Sequence, residues 1–420
     1  MLKRFIVPIF LIITLIGCSS SPNASNDTGS DSEEKEIELS FPTWQAQEPG
    51  FSEWWTGLIE EYEQEHSNVK INMNQIPFSE YVDQLTIQFS AGTPPDIVHL
   101  PSRNFSQFAD QGWLRPLDDY LEPTNIPDNW TKLQENMIWD DQTQGVLLMG
   151  YGFVLFYNEQ LLQNAGLSVP ETPEELVNAA KTLTKDGTYG FGLTTTEHPN
   201  VYSDASIFLI GNEQQWATDS NYDLTNPEII ETIDIYRELL EYSPKGISSE
   251  QKRQLFFDGK VAMMLDGPFV LALKDEATEA VKPHVKVTKA PFPVNPGAVS
   301  NSLHIPANID PDKEKLVWEF IELAASPKWQ DKYAELTNSV PPRANAVTSE
   351  TIENNPEMEL FSDVATEAVS IDPSSENILA NYNEFQKIIT ESMMELMTSD
   401  NPTTEVMTKL QNELEDKIKP

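Results

Sequence analysis

From Ile37 the chain alternates apolar and polar side chains, Ile37-Glu38-Leu39-Ser40-Phe41, which is the period of a strand with one buried face. Trp55, Leu58, Ile59 and Tyr62 then recur at helical spacing, and Val69, Ile71 and Met73 alternate again. Ser79 is placed to cap a helix carrying Val82, Leu85 and Phe89, and Pro95-Asp96-Ile97-Val98 reads as a short buried strand. Strand, helix, strand, helix, strand in that order predicts a mainly parallel sheet with helices on both faces. Its ligand site would lie beyond the carboxyl ends of the strands.

A second alternating region begins near Gly145. Thr172-Pro173-Glu174-Glu175 supplies a capping threonine, a first-turn proline and an acid at the third helical position, so a helix is expected through Lys181. Asn226-Pro227-Glu228 starts another, with Ile229, Ile230, Ile233, Tyr236, Leu239 and Leu240 as its buried face; Gly259 then breaks the chain before a strand from Val261 to Leu265. Asp310-Pro311 opens a helix through Phe320 and Ile321, and two amphipathic stretches run from about Ser375 to Met397 and from Pro402 to Ile418. The fold class this predicts is α/β: two doubly wound lobes with a helical C-terminal region. The chain must cross between them more than once if early and late strands share a sheet.

The N-terminus has a different pattern. Lys3 and Arg4 precede an apolar run from Phe5 to Ile16, too short to span and hold a bilayer, which reads as an export signal. Its end, Leu15-Ile16-Gly17-Cys18, resembles the bacterial lipobox, in which the cysteine is lipidated as the signal is removed. Residues 1–17 are thus expected to be a signal peptide, with Cys18 a palmitate-type anchor at the outer face of the cytoplasmic membrane of a Gram-positive bacterium. Residues 18–36, rich in Ser, Asn, Asp and Glu, form a flexible tether. Cys18 is the only cysteine, which leaves no internal disulfide and no thiolate metal cluster.

Composition narrows the partners. A formal charge of -40 repels phosphate backbones, so nucleic acid is an unsuitable partner. The arginines do not cluster along the chain, which argues against an anionic ligand. No G-x-S-x-G, H-E-x-x-H, Walker loop, dinucleotide glycine fingerprint or EF-hand spacing occurs, so no cofactor is expected. The histidines His66, His99, His198, His284 and His304 are scattered singly, and no metal site is expected. Asp118-Asp119 and Asp140-Asp141 are the obvious paired carboxylates for glycosidic acid/base work, although both read as solvated loops.

The positive signal is aromatic. Trp44, Tyr151, Tyr202, Trp216 and Phe269 fall in turn-like contexts away from periodic apolar faces. A flat ring covers the C–H face of a pyranose while neighbouring amides and carboxylates bind its hydroxyls, a combination suited to neutral carbohydrate.

Several segments taken in order resemble the extracellular solute-binding proteins of ABC importers, in the sugar-binding group that includes maltose-binding protein. They are Trp44 after the first strand, Ala91-Gly92-Thr93-Pro94-Pro95-Asp96-Ile97, Ala109-Asp110-Gln111-Gly112-Trp113-Leu114 with Pro116-Leu117-Asp118, Leu155-Phe156-Tyr157-Asn158 with Ala165-Gly166-Leu167, and Phe257-Asp258-Gly259-Lys260-Val261-Ala262-Met263 with Gly267-Pro268-Phe269. Pro173 and Phe269 stand where the family pattern has tryptophan. The resemblance implies a type II periplasmic-binding-protein fold with a multi-strand hinge near residues 146 to 150. The first lobe would comprise residues 37–147 plus about 286–335, and the second 148–285 plus about 336–420.

By position, the resemblance places Trp44, Gln45, Arg103 and Asn104 on the first lobe's side of a cleft, Tyr151 near the crossover, and Tyr202, Trp216, Asp266 and Phe269 on the second. Arg343, Tyr382 and Phe385 are further candidates, whereas Asp96 supports a strand end. It implies a monomeric, non-enzymatic receptor that closes on a neutral mono- or oligosaccharide and passes it to permease subunits in the membrane. A surface-anchored glycoside-processing enzyme is the rival reading, and an adhesion module comes third. On the receptor reading, Trp44→Ala weakens saccharide binding by about 1 to 3 kcal/mol and leaves folding intact.

Overall fold

The structure is a computed structural model that describes residues 36–420 apart from Pro49 and Asp219. The expected signal segment, Cys18 and the tether up to residue 35 lie outside the described residues. Among the described residues no helix is long and apolar enough to cross a membrane.

The strands are β1 (Ile37–Thr43), β2 (Val69–Gln75), β3 (Val98–Pro101), β4 (Ile138–Trp139), β5 (Gln142–Thr143), β6 (Val146–Gly152), β7 (Val154–Asn158), β8 (Met263–Asp266), β9 (Val285–Lys289), β10 (Pro296–His304) and β11 (Val369–Ser370). β1 and β2 pair in parallel, as the strand-helix-strand pattern predicts. The ladders of β10 with β3 and β6, and of β7 with β8 and β9, are antiparallel. The expectation of a mainly parallel sheet is therefore corrected. Strands arriving from the other half of the chain enter these sheets head-on, and side-chain alternation is the same in both directions.

Local signals set the elements. The helix Pro173–Leu183 starts where Thr172 Oγ1 accepts the Glu175 amide at 3.2 Å. Asn226 and Asp310 cap the helices Pro227–Glu241 and Pro311–Ala324 in the same way, each followed by proline in the first turn. Pro77, not Ser79, takes the cap position of the helix Phe78–Ser90. The β3 ladder begins only at Val98, and the preceding Asp96 is a brace. Its Oδ2 accepts from the amide and hydroxyl of Ser40, both at 2.8 Å, and its Oδ1 accepts from Lys313 at 2.9 Å. The first half of the core packs Phe41 against Trp55 and Phe320, and the Trp54 indole donates to the Trp329 carbonyl at 2.8 Å.

Three segments meet where the chain passes from one sheet to the next. β6 lies in the sheet with β10, and the chain continues through Phe153 into β7, which pairs with β8 and β9. At that point the Phe153 amide donates to the Pro296 carbonyl at 2.8 Å, and the Ile371 amide donates to Gly297 at 2.8 Å. Gly152 is required here, since a Cβ would stand 2.7 Å from the Val364 carbonyl. In the C-terminal region, the helix Tyr382–Thr398 packs on Asn200–Gly211 and Thr403–Lys417, which buries its Phe385, Ile389 and Met393 face.

Candidate functional site

A cavity of about 420 Å³ opens at this junction. One wall comes from the turn after β1 (Trp44, Gln45, Glu48), Phe78 and the segment after β3 (Arg103), and its floor comes from β6 and β10. The other wall comes from the helices Asn200–Gly211 and Ser249–Phe257, the end of β8 and Phe269; Asp372 and Tyr382 close one end.

The first wall is aromatic. Trp44 stacks on His99 with centroids 4.1 Å apart and an interplanar angle of 5°, and it meets Phe78 and Tyr81 edge-on. Burial pushes the His99 imidazole down to about 3, so it is a neutral ring beneath Trp44, with Nδ1 2.8 Å from the Thr43 hydroxyl. Gln45 is held by its Oε1, which accepts from the Trp55 indole at 3.1 Å.

The opposite wall is ionic. Arg253 grips Asp266 with two hydrogen bonds of 2.9 Å, and Lys252 lies 3.3 Å from Asp266 and 3.4 Å from Asp204. Burial disfavours the charge on Asp266, but Arg253, Lys252 and the Gly267 amide outweigh it and hold the carboxyl down at about 2. Arg253 also lies over the Phe269 ring, 5.4 Å from its centroid, and Phe269 meets Tyr151 edge-on at 5.4 Å. At the end of the cavity, Asp372 accepts from Tyr382 at 2.6 Å and from Tyr202 at 3.3 Å. Burial raises its carboxyl above the usual range, against the pull of the Tyr382 hydroxyl, the Arg103 charge and the Tyr202 hydroxyl. No hydrogen bond or ion pair within the described residues engages the Arg103 guanidinium, which leaves its planar donor set facing the cavity.

Of the residues singled out from sequence, Trp44, Gln45, Arg103, Tyr151, Asp266, Phe269 and Tyr382 line this one cavity. Asn104, Tyr202, Trp216 and Arg343 do not. Asn104 is buried where the turn Ser102–Asn104 meets the helix Phe105–Asp110. Tyr202 is wholly buried behind Asp372, its hydroxyl spent on Asp372 and the Ile371 carbonyl. The Trp216 indole donates to Ser206 at 2.7 Å, which turns the ring into the core. Arg343 donates to the Ala325 carbonyl and Asn125 and lies over Trp130, outside the cavity. Phe385 is core as well.

Sequence reading missed Glu48, Asp204, Lys252, Arg253 and Asp372 as cavity residues. The scarcity of clustered cations in the chain is corrected in space, since folding brings Arg103, Lys252 and Arg253 to one cavity. Adjacent Lys252-Arg253 in so acidic a chain was the available signal; nothing local distinguishes Glu48 or Asp372. Asp140 and Asp141 form a turn between β4 and β5 with φ of 50° and 59°, and Asp118 starts a short helix, so neither acidic pair lines the cavity. Among the described residues no group of three or more metal-ligating side chains converges.

Residues 46–331, about two thirds of the chain, match the family described as bacterial extracellular solute-binding protein. The chain belongs to that family. A binding protein of Brucella abortus (strain 2308) is 24% identical to this solute-binding protein over 322 residues, which cover 73% of this chain and 77% of the other. The galactooligosaccharide-binding protein of Bacillus subtilis (strain 168) is 23% identical over 267 residues, 61% of this chain and 60% of its own. An ABC transporter solute-binding protein from Thermotoga lettingae TMO, solved with α-D-tagatose, matches with a TM-score of 0.77 at 20% identity, over 91% of this chain and 99% of that one. The fold of this solute-binding protein is that of the type II periplasmic binding proteins.

Proposed function

We propose that this solute-binding protein is the lipid-anchored receptor of an ABC importer, capturing a neutral sugar or oligosaccharide and releasing it unaltered to the permease. The observation that carries the reading is the cavity itself, with the rings of Trp44, Tyr151 and Phe269 beside the Arg103 guanidinium, which feels the Asp372 charge but which no hydrogen bond or ion pair within the described residues engages. Rings suit the C–H faces of a saccharide and a planar donor set suits its oxygens. Lys252 and Arg253 are already neutralised by Asp204 and Asp266, which favours an uncharged ligand over an anionic one. The galactooligosaccharide and tagatose named for two similar proteins agree with this class.

The mechanism is closure. The first lobe comprises residues 37–147 plus about 286–335 and the second 148–285 plus about 336–420. The hinge runs through residues 146 to 150, and the adjoining backbone bonds from Phe153 to Pro296 and from Ile371 to Gly297, which tie three segments together, support that reading. A ligand that touches both walls shifts the population to the closed form, because only differential contact moves such an equilibrium. Cys18 anchors the monomer to the outer face of the membrane, which labelled palmitate retained by the native chain and lost in Cys18→Ala would test.

The deciding experiment is a thermal-shift screen of the mature protein against D-tagatose, maltose, galactooligosaccharides and their acidic counterparts. A neutral saccharide present at about 100 times its Kd stabilises the fold by about 2.7 kcal/mol through mass action. No shift with any neutral sugar, or recovery of the sugar in cleaved form, overturns the reading.

A further inference from the structure

Glu48 differs from every other acid in the cavity. Asp266 is held by Arg253 and Lys252, Asp204 by the Thr194 amide and Lys252, Asp372 by two tyrosines, and Glu250 by Ser248 and Ser249. No hydrogen bond or ion pair within the described residues engages the Glu48 carboxyl. Its backbone is fixed on both sides: the Glu48 amide donates to Gln45 at 3.2 Å and its carbonyl accepts from Ser52 at 2.8 Å. The half-buried side chain therefore stands in the wall beside Trp44 and Gln45.

The groups around it do not neutralise it. On the helix Pro327–Thr337, the Tyr333 hydroxyl is committed to Met149 and Asn301. On the helix Phe51–Glu65, Glu53 is turned to the Gly50 amide. Arg103, Tyr151, Tyr382 and His198 share the cavity without an ion pair to Glu48. Burial without a partner lifts the Glu48 carboxyl to about 7, so in the free protein it is about half protonated near neutral pH.

We propose that Glu48 is a specificity-determining residue that accepts hydrogen bonds from adjacent hydroxyls of the ligand in its ionised form, so that saccharide binding expels a proton. The inference rests on the saccharide reading above. A carboxylate has two acceptor oxygens, a neighbouring pair of ring hydroxyls supplies two donors, and such charge-assisted bonds are stronger than those to a neutral acid. The ligand therefore lowers the affinity of Glu48 for its proton. By linkage, saccharide affinity rises as pH rises toward 7 and levels off above it.

The test is calorimetry on the mature protein with whichever of D-tagatose, maltose or galactooligosaccharide stabilises it most, in two buffers of different ionisation enthalpy. About half a proton is released per saccharide at pH 7 and almost none at pH 8.5, and affinity tightens about tenfold between pH 6 and pH 8. Glu48→Gln keeps the shape but abolishes the release and flattens the profile. His198→Asn controls for the imidazole that lines the cavity among the described residues, and the release per saccharide bound stays in place whatever happens to the affinity. A saccharide that binds with no proton release, with proton uptake, or with release that survives in Glu48→Gln or disappears in His198→Asn overturns the role of Glu48. Absence of any saccharide binding instead overturns the receptor reading on which it rests.

Discussion

Asp266→Asn lowers the unfolding free energy at pH 7 by about 3–5 kcal/mol, the scale of removing one partner from a buried ion pair. The substitution is nearly isosteric, so the loss reports charge rather than volume. Lys252 is 2% exposed and lies 3.3 Å from Asp266, and Arg253 makes both of its bonds to the same carboxylate. Asparagine leaves Lys252 with Asp204 and removes the carboxylate that takes both Arg253 bonds. Denaturant unfolding followed by tryptophan fluorescence measures the difference. The folded carboxyl lies at about 2, below its ordinary 3.8, so its contribution is present above about pH 4 and is lost as pH falls through 2. The gap between native protein and variant should therefore be constant from pH 5 to pH 8 and narrow only in strong acid. A loss under about 1 kcal/mol at pH 7 would place the pair in the class of solvated surface bridges.

Trp44→Ala has the second large effect, and the structure changes what is expected of it. From sequence the residue reads as an aromatic anchor on the first lobe's side of the cleft whose loss spares folding. In the fold Trp44 is only 6% exposed, stacked on His99 and edge-on to Phe78 and Tyr81. Truncation leaves a void against a neutral imidazole and costs about 3 kcal/mol of stability, as large-to-small changes do in packed surroundings. It also weakens saccharide binding by about 1 to 3 kcal/mol through loss of the ring at the wall. Trp44→Phe separates the two, since it retains packing on His99 while shrinking the face offered to a sugar. Denaturant midpoints and calorimetric affinities for both variants check the assignment. An alanine variant with native stability would mean that the stack on His99 carries no energy.

Much of the fold is legible where the signal is local. Thr172, Asn226 and Asp310 announce helix starts because a side-chain oxygen, a proline and an acid stand at fixed offsets, and each begins within a residue of where the chemistry places it. The direction of strand pairing is not legible, because β7 and β10 alternate identically whether their partners run with or against them. The cavity divides in the same way. Trp44, Arg103 and Phe269 carry recognisable neighbours in the chain, whereas Glu48 and Asp372 become cavity residues only when segments more than 300 positions apart are brought together. Tyr202 and Trp216 mislead for a related reason, since a polar ring edge looks available until its partner, Asp372 or Ser206, is in place. The cations show the effect of folding on charge. A chain of net charge -40 gathers Arg103, Lys252 and Arg253 into one cavity, and Asp204 and Asp266 cancel the last two.

Small-angle X-ray scattering of the mature protein, recorded without and then with a saturating neutral saccharide and followed by analysis of the recovered sugar, tests capture by closure most directly. The account predicts a smaller radius of gyration on addition and saccharide recovered intact. Superimposable curves at an occupancy verified by calorimetry, or recovery of shortened sugar, would contradict it.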